Sequence, residues 1–559
     1  MKITINNKEI ECQGDKTILE VAKENNIEIP TLCYQEGFEA KSVCRICVVE
    51  VNNKLLPSCS TKVKEGMIVN TESKKVLEAR KINTELLMAK HNGTCFDEDK
   101  DHELCKIAKD VGIRQVRFDN HKKVYIVDKG VAIITDNNKC ILCGRCVQAC
   151  QMQNVNAIDF AYRSYHTKVT PAYENKLDDS VCVNCGQCLL ACPVNAIYEK
   201  DDTESVLRAL KTKKHVIVQT APAVRASLGE EFDLPAGTLV TGKMVSSLRK
   251  IGFKKIFDTQ FGADLTITEE AAELLERLKE NKNLPMITSC CPAWIKYIEH
   301  FYPELLNHVS TCKSPHDMFG AIAKSYYKEK YKINKRDLVV VSIMPCTAKK
   351  FEIQRKELKK EVDYVLTTRE LARLIKSKGI NFNKLKDEEF DKPLGLSSGA
   401  GTIFGASGGV MEAALRTAYE TATGKKLEML EFNQIRGMDD FKEGSIIIND
   451  KEINFAVANG LGNAKELLEQ IKNKNCKYDF IEVMACPGGC IAGGGQPKPT
   501  NKEIIEKRMQ AIYLNDKNKK IRRSHENPAI IQLYDEFLNK PLSKKAERLL
   551  HTSYIKRGT

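Results

Sequence analysis

No apolar run in this 559-residue chain approaches the ~20 residues that a membrane-crossing helix needs, so a soluble chain without a membrane partner is expected. The start Met1-Lys2-Ile3-Thr4-Ile5 alternates like a strand and lacks the apolar block of a secretory signal, which points to a cytoplasmic protein. A nucleotide loop is missing too. Gly405-Ala406-Ser407-Gly408-Gly409-Val410 has neither the Lys-Ser/Thr of a P-loop nor dinucleotide spacing, which leaves a backbone cradle for a non-nucleotide ligand at a helix N-terminus. Aromatic residues are not interleaved with the basic clusters, so no nucleic-acid partner is expected. The net charge of +13 is concentrated at the end, where residues 501–559 carry 14 Lys/Arg against 7 Asp/Glu. An ordinary solvated helix face and a surface that steers an acidic protein both account for that excess.

Cysteine is what the chain has in excess, with 22 residues and repeated C-x2-C spacing. Thiolates bound to metal in a reducing compartment are the expectation, rather than disulfides. Cys33, Cys44, Cys47 and Cys59 give C-x10-C-x2-C-x11-C between strands at Lys2 to Asn6 and Val48 to Asn52, with a helix starting near Thr17. A long loop plus a tight pair resembles plant-type 2Fe2S ferredoxins, although their first gap is shorter. Zinc is the alternative for four thiolates. Cys12 stands outside the set as a spare thiol.

Cys140, Cys143, Cys146 and Cys150 form one C-x2-C-x2-C-x3-C run, and Cys182, Cys185, Cys188 and Cys192 form another about 42 residues later. This is the bacterial two-cluster spacing, in which each run gives its fourth cysteine to the other cluster. Cys140, Cys143, Cys146 and Cys192 are therefore expected on one 4Fe4S cluster, and Cys182, Cys185, Cys188 and Cys150 on the second. Between the modules, His91 and Cys95 begin what resembles a 4Fe4S site of the form H-x3-C-x2-C-x5-C, but Glu98 stands where the second cysteine belongs and Cys105 falls one residue late. A bound cluster at His91, Cys95 and Cys105, completed by Asp97, Glu98, Asp99, Asp101 or His102, and a degenerate site both remain open.

From His215 onward, apolar strands alternate with helical stretches: His215 to Gln219, a helix near Val245 to Lys250, Lys255 to Thr259, then a helix from Glu269 to Lys279. That alternation predicts a parallel-sheet α/β domain. Three strand-like runs end in cysteine, at Cys290-Cys291, Cys346 and Cys486 with Cys490, and ligands collect beyond the carboxyl ends of such strands.

Thr288-Ser289-Cys290-Cys291-Pro292-Ala293-Trp294, Met344-Pro345-Cys346-Thr347-Ala348-Lys349-Lys350 and Met484-Ala485-Cys486-Pro487-Gly488-Gly489-Cys490 resemble, in order, the three signatures of the FeFe-hydrogenases of the long clostridial type. The segment Arg523-Ser524-His525-Glu526-Asn527-Pro528 resembles that family's small-subunit-like end. The resemblance implies an H-cluster, a 4Fe4S cubane on Cys291, Cys346, Cys486 and Cys490 joined through Cys490 to a two-iron centre with CO, cyanide and azadithiolate. It also implies a proton path from Cys290 through Glu273, Ser310 and Glu270 to the surface, and a cyanide contact from Lys349. Ala221, Pro222, Ala223, Ser314, His316, Met344, Phe404 and Met484 would line the two-iron centre, while Cys312 and Cys476 match no ligand position.

The implied architecture is multidomain α/β: a β-grasp 2Fe2S ferredoxin-like domain (1–72), a histidine/cysteine region (73–125), a two-4Fe4S ferredoxin-like domain (126–205) and an H-cluster domain (206–559) with a small-subunit-like tail from about 501. The implied activity is reversible formation of H2 from protons and electrons, with ferredoxin or flavodoxin as carrier and maturation enzymes as further partners. An iron-sulfur relay or assembly protein is one rival, yet such relatives lose Cys290 and Lys349, which are present here. A hydrogen sensor is the other, expected to carry an appended regulatory module, which this sequence does not show, or altered pocket residues.

Overall fold

The computed structural model describes residues 1–91, 95, 102–118, 124–334, 336–358 and 360–558. Asp97, Glu98, Asp99 and Asp101 lie outside the described residues. The chain divides into two compact units, one of residues 1–152, 156–182 and 187–198, the other of 153–155, 183–186 and 199–559.

In the first unit, β1 (Lys2–Ile5), β2 (Lys8–Glu11), β3 (Val48–Val51), β4 (Lys54–Pro57) and β5 (Ile68–Asn70) form a sheet of order β2-β1-β5-β3-β4. Alternation along β1 and β3 sends Ile3, Ile5, Val49 and Val51 to one face, where they pack with Ile18 and Val21 of helix α1 (Ile18–Glu24). Thr17 and Glu20 cap that helix reciprocally, as S/T-x-x-E sequences do. Helix α2 (Lys74–Lys90) ends at His91, and α3 (Glu103–Asp110) begins after His102, whose ring serves as its N-cap. Helices α4 (Arg145–Met152) and α5 (Gln187–Ala191) follow the two cysteine-rich turns and pack on each other, as a sequence repeat predicts.

The second unit holds two sheets where the sequence predicts one. Strands β6 (His215–Thr220), β7 (Lys255–Asp258), β9 (Leu338–Met344) and β10 (Tyr364–Thr367) form a wholly parallel sheet of order β7-β6-β9-β10. Strands β8 (Met286–Ile287), β11 (Phe441–Ile448), β12 (Lys451–Asn459) and β13 (Phe480–Met484) form the other, of order β8-β13-β12-β11. Its antiparallel edge comes from a hairpin at Asn449-Asp450, both at positive φ, the two-residue turn that suits twisted strands. Central strand β9 is buried at every residue, which explains its unbroken Leu-Val-Val-Val run.

Helix α6 (Thr259–Glu280) starts directly after β7, ten positions before the Glu269 start the pattern predicts, with Asp258 as its N-cap. Its first half is buried around the whole circumference, so it shows no amphipathic stripe to read. No helix among the described residues is long and apolar enough to cross a membrane.

Candidate metal and proton-transfer site

Beyond the carboxyl ends of β8, β9 and β13 lies a cavity of ≈ 70 Å³, and Cys291, Cys346, Cys486 and Cys490 all line it. Strands from both sheets therefore supply the thiols. Cys291 is the N-cap of α7 (Pro292–Phe301), whose first residue is a proline that suits that position. Ser289 Oγ donates to the Cys312 carbonyl at 2.6 Å and Trp294 Nε1 to the Thr288 carbonyl at 3.0 Å, which anchors the turn carrying the cysteine pair. Gly493 brings the third segment onto the second, since a Cβ there would stand 2.2 Å from the Pro345 carbonyl oxygen. At Gly489 φ is +96°, and a Cβ would meet the Ser407 amide at 2.6 Å.

Burial raises all four thiols, Cys346 to about 12. Four thiolates gathered in an apolar cavity repel one another unless cations compensate them, so this donor set fits a cluster that spreads its irons among them. Cys290, Ala221, Pro222, His316, Met344, Lys349, Phe404 and Met484 share the lining. Two residues the resemblance places there do not. The Ala223 carbonyl accepts from Ser227 Oγ at 3.1 Å and Gln496 Nε2 at 3.4 Å, and Ser314 Oγ donates to Asp317 Oδ2 at 3.2 Å. Thr259, Ala263 and Cys185 line the cavity without any sequence signal for it.

Lys349 is held from two sides, donating to Glu352 Oε2 at 2.6 Å and to the Cys290 carbonyl at 3.3 Å. An ammonium has three donors, so one N–H is left to face the cavity. Burial alone would lower its pKa, but Glu352 and Asp317 outweigh that and the net shift is upward. Glu352 also lies 2.7 Å from His316 Nε2, and despite burial these two cations hold it down at about 2. Lys349 thus presents a fixed positive charge to any anionic ligand in the cavity.

The glycine-rich segment Gly405 to Val410 does lead into a helix, α8 (Gly409–Thr423), but its N-terminus holds the chain's own anion: Glu482 accepts from the Gly408 amide at 2.6 Å and the Met411 amide at 2.7 Å. That cradle is occupied by a side chain, not open to a ligand.

On the other side of Cys290, whose thiol is raised by burial and then by Glu270, stands a line of titratable groups. Both Glu270 oxygens are buried without a hydrogen-bond partner among the described residues. Burial, then the neighbouring Glu273, push this carboxyl to about 8, so it holds a proton at neutral pH. Ser310 Oγ donates to Glu273 Oε2 at 2.9 Å, Arg277 Nη2 to Glu273 Oε1 at 2.7 Å, and Glu273 borders a surface cleft shared with Glu276, Thr311 and His551. Cys312, without a ligand role in the sequence pattern, places Sγ 3.8 Å from Glu273 Oε2.

A stability test follows from Glu270. Its carboxyl is protonated in folded and unfolded chains below the ordinary 4.5, and the folded state alone resists ionisation between 4.5 and about 8, so the residue costs progressively more stability over that range. Glu270→Gln removes the cost. The melting temperature of the variant relative to wild type is expected to rise between about pH 5 and about pH 8 and to level off above, and a constant difference would contradict the shift.

In the first unit, Cys33, Cys44, Cys47 and Cys59 are all buried, and the Cys33 amide donates to Cys44 Sγ at 3.4 Å. A second cavity is lined together by Cys140, Cys143, Cys146 and Cys192, which pairs the first run with the fourth cysteine of the second. In the second unit, the loop 183–186 is tied to the main cavity: Thr347 Oγ1 donates to the Asn184 carbonyl at 2.7 Å, and a Cβ on Gly494 would stand 2.7 Å from the Cys185 carbonyl oxygen.

Residues 214–494 match the pattern of the iron only hydrogenase large subunit, C-terminal domain, and 502–557 match the iron hydrogenase small subunit. Residues 1–74 match a 2Fe-2S iron-sulfur cluster binding domain and 139–196 a 4Fe-4S dicluster domain. The NADP-reducing hydrogenase subunit HndD of Solidesulfovibrio fructosivorans is 48% identical over 100% of this chain and 99% of its own length. Iron hydrogenase 1 of Clostridium pasteurianum is 42% identical over 99% of this chain and 100% of its own. Among solved structures, the apo [FeFe]-hydrogenase HydA1 from Chlamydomonas reinhardtii is 44% identical with a TM-score of 0.58, covering 64% of this chain and 100% of that one.

Proposed function

The chain belongs to the iron-only hydrogenase family, and from that premise we propose that it catalyses 2H⁺ + 2e⁻ ⇌ H2 at an H-cluster held by Cys291, Cys346, Cys486 and Cys490. The observation that carries the reading is the meeting, in one cavity, of those four thiols with Cys290 and Lys349. When bound, the H-cluster supplies the two-electron metal chemistry that joins or splits hydrogen.

The chain's own groups move the protons. Cys290 holds one at Sγ, because burial keeps its thiol neutral. Glu270, protonated at neutral pH, replaces the proton that Cys290 gives up. Ser310 can rotate its hydroxyl between Glu270 and Glu273, and Glu273 meets water at the cleft. Lys349 orients and stabilises an anionic ligand of the two-iron centre, while Met344, Met484 and Phe404 keep water from it.

Electrons are proposed to pass from a 2Fe2S cluster on Cys33, Cys44, Cys47 and Cys59 through two 4Fe4S clusters, one on Cys140, Cys143, Cys146 and Cys192 and one on Cys182, Cys185, Cys188 and Cys150. The close approach of Gly494 to Cys185 is the last step's structural support. Gly494→Val is expected to slow ferredoxin-driven H2 evolution about tenfold or more, while infrared bands of the cofactor stay in place; an unchanged rate would remove that contact from the route.

The division into 1–72, 73–125, 126–205 and 206–559, a cytoplasmic location, and maturation enzymes as partners belong to the same reading. Ferredoxin or flavodoxin is the proposed carrier. Likeness to HndD, a subunit of an NADP-reducing hydrogenase, favours a second reading in which a partner subunit connects this chain to nicotinamide. The purified chain is expected to evolve H2 with reduced ferredoxin and not with NADPH alone. Turnover with NADPH alone would refute the carrier assignment, and turnover with neither until a nicotinamide-binding partner subunit is added would favour the second reading.

A further inference from the structure

Donor groups of four residues lie where α2 ends and α3 begins, three of them mutually close and the fourth, Cys105 Sγ, beside His102. His91 is the C-cap of α2, His102 the N-cap of α3, and Cys95 and Cys105 are both buried. His102 Nε2 lies 3.1 Å from His91 Nε2, 3.3 Å from Cys105 Sγ and 4.0 Å from Cys95 Sγ. The donor atoms of His91, Cys95 and His102 all fall within 4.8 Å of one another.

Three of these donors are close enough together to share a single ion. Nitrogen at about 2.0–2.1 Å and sulfur at about 2.3 Å from one tetrahedral ion place the donors roughly 3.3–3.8 Å apart. Thiolates on separate irons of a cubane stand farther from each other. Among the described residues, no three of the cysteines expected on cubanes gather within 4.8 Å, whereas His91, Cys95 and His102 do.

A second observation concerns the ring orientation of His91. Its Nδ1 lies 2.7 Å from the Lys139 carbonyl, which can only accept, so Nδ1 carries the proton and the Nε2 lone pair points at the other donors. Metal-bound histidines are held by this kind of outer hydrogen bond.

We infer that His91, Cys95, His102 and Cys105, spaced H-x3-C-x6-H-x2-C, bind one four-coordinate zinc ion in place of an iron-sulfur cluster. Two histidines and two cysteines form a closed donor set of the structural-zinc type. Without an ion, His102 Nε2–H donates to His91 Nε2 and His102 Nδ1 accepts from the Cys105 amide at 3.4 Å. Binding moves the His102 proton to Nδ1, which gives up the weak bond accepted from the Cys105 amide, and releases the thiol protons of Cys95 and Cys105, so two protons leave and the site becomes neutral. The ion would pin α2 to α3. Because zinc does not change oxidation state, the site carries no electrons, which leaves the Cys33, Cys44, Cys47 and Cys59 cluster as the entry point in this region.

Metal analysis of the matured, full-length protein tests this, with iron and zinc counted in wild type, Cys105→Ser and His102→Ala. Wild type is expected to hold about one zinc per chain, lost in both variants, with iron content, iron-sulfur EPR signals and viologen-driven turnover unchanged. Wild type refolded around cobalt should show the absorption of a thiolate-bound tetrahedral ion, absent in His102→Ala, which keeps both thiols. Loss of about four irons and an EPR signal from the variants would overturn the proposal in favour of a cluster. Zinc content that does not respond to either substitution would overturn it as well.

Discussion

Cys290→Ala is expected to lower hydrogen turnover by about 10²–10⁴-fold, the usual contribution of a positioned proton donor, while iron content and the infrared bands of the cofactor remain. The adjacent residues have separate tasks. Cys291 caps α7 and lines the thiol end of the cavity, whereas Cys290 is the thiol whose pKa responds to Glu270. Alanine removes the proton carrier and leaves the backbone, including the carbonyl that accepts from Lys349 at 3.3 Å. Cys290→Asp, which restores an ionisable group of similar reach, should recover part of the rate with a shifted pH profile. Loss of the cofactor bands from Cys290→Ala would instead make Cys290 a structural residue and remove the first step of the proton route.

Lys349→Met has the second large effect, and it is twofold. Removing one partner of a buried pair leaves Glu352 with His316 as its remaining partner, which costs at most about 3–5 kcal/mol of folding stability. It also removes the cation that faces the cavity. The double variant Lys349→Met/Glu352→Gln separates these effects, because it deletes both charges of the pair. Chemical denaturation is expected to show most of the stability regained in the double variant, while H2 evolution stays below about 1% of wild type. Turnover that returned along with stability would reduce Lys349 to a structural ion-pair partner.

Parts of this site are legible in the sequence because they are local. Thr17-x-x-Glu20 marks the start of α1, and the C-x2-C-x2-C-x3-C runs carry ligand spacing that follows from chain geometry alone. The three cysteine segments each follow a strand, and they do meet in one cavity. What the sequence hides is through-space. Nothing in the order of residues places β9 in a different sheet from β8 and β13, since the hairpin that closes the second sheet lies more than ninety residues after β9. Glu352 as the anchor of Lys349, Cys312 against Glu273 and the Cys185 loop against Gly494 are contacts between distant segments. Glu482 at the N-terminus of α8 overturns the ligand cradle read from the glycines, because an internal carboxylate meets the same amides that an external anion would. Helix α6 escapes detection in its first half because burial on all sides erases its period.

The infrared spectrum of wild-type protein co-produced with its maturation enzymes, recorded under argon and then under H2, tests the central claim most directly. Bands of CO and cyanide that shift when H2 is admitted are expected, since the cavity would hold the two-iron centre. A spectrum without those bands, or with bands indifferent to H2, would contradict it.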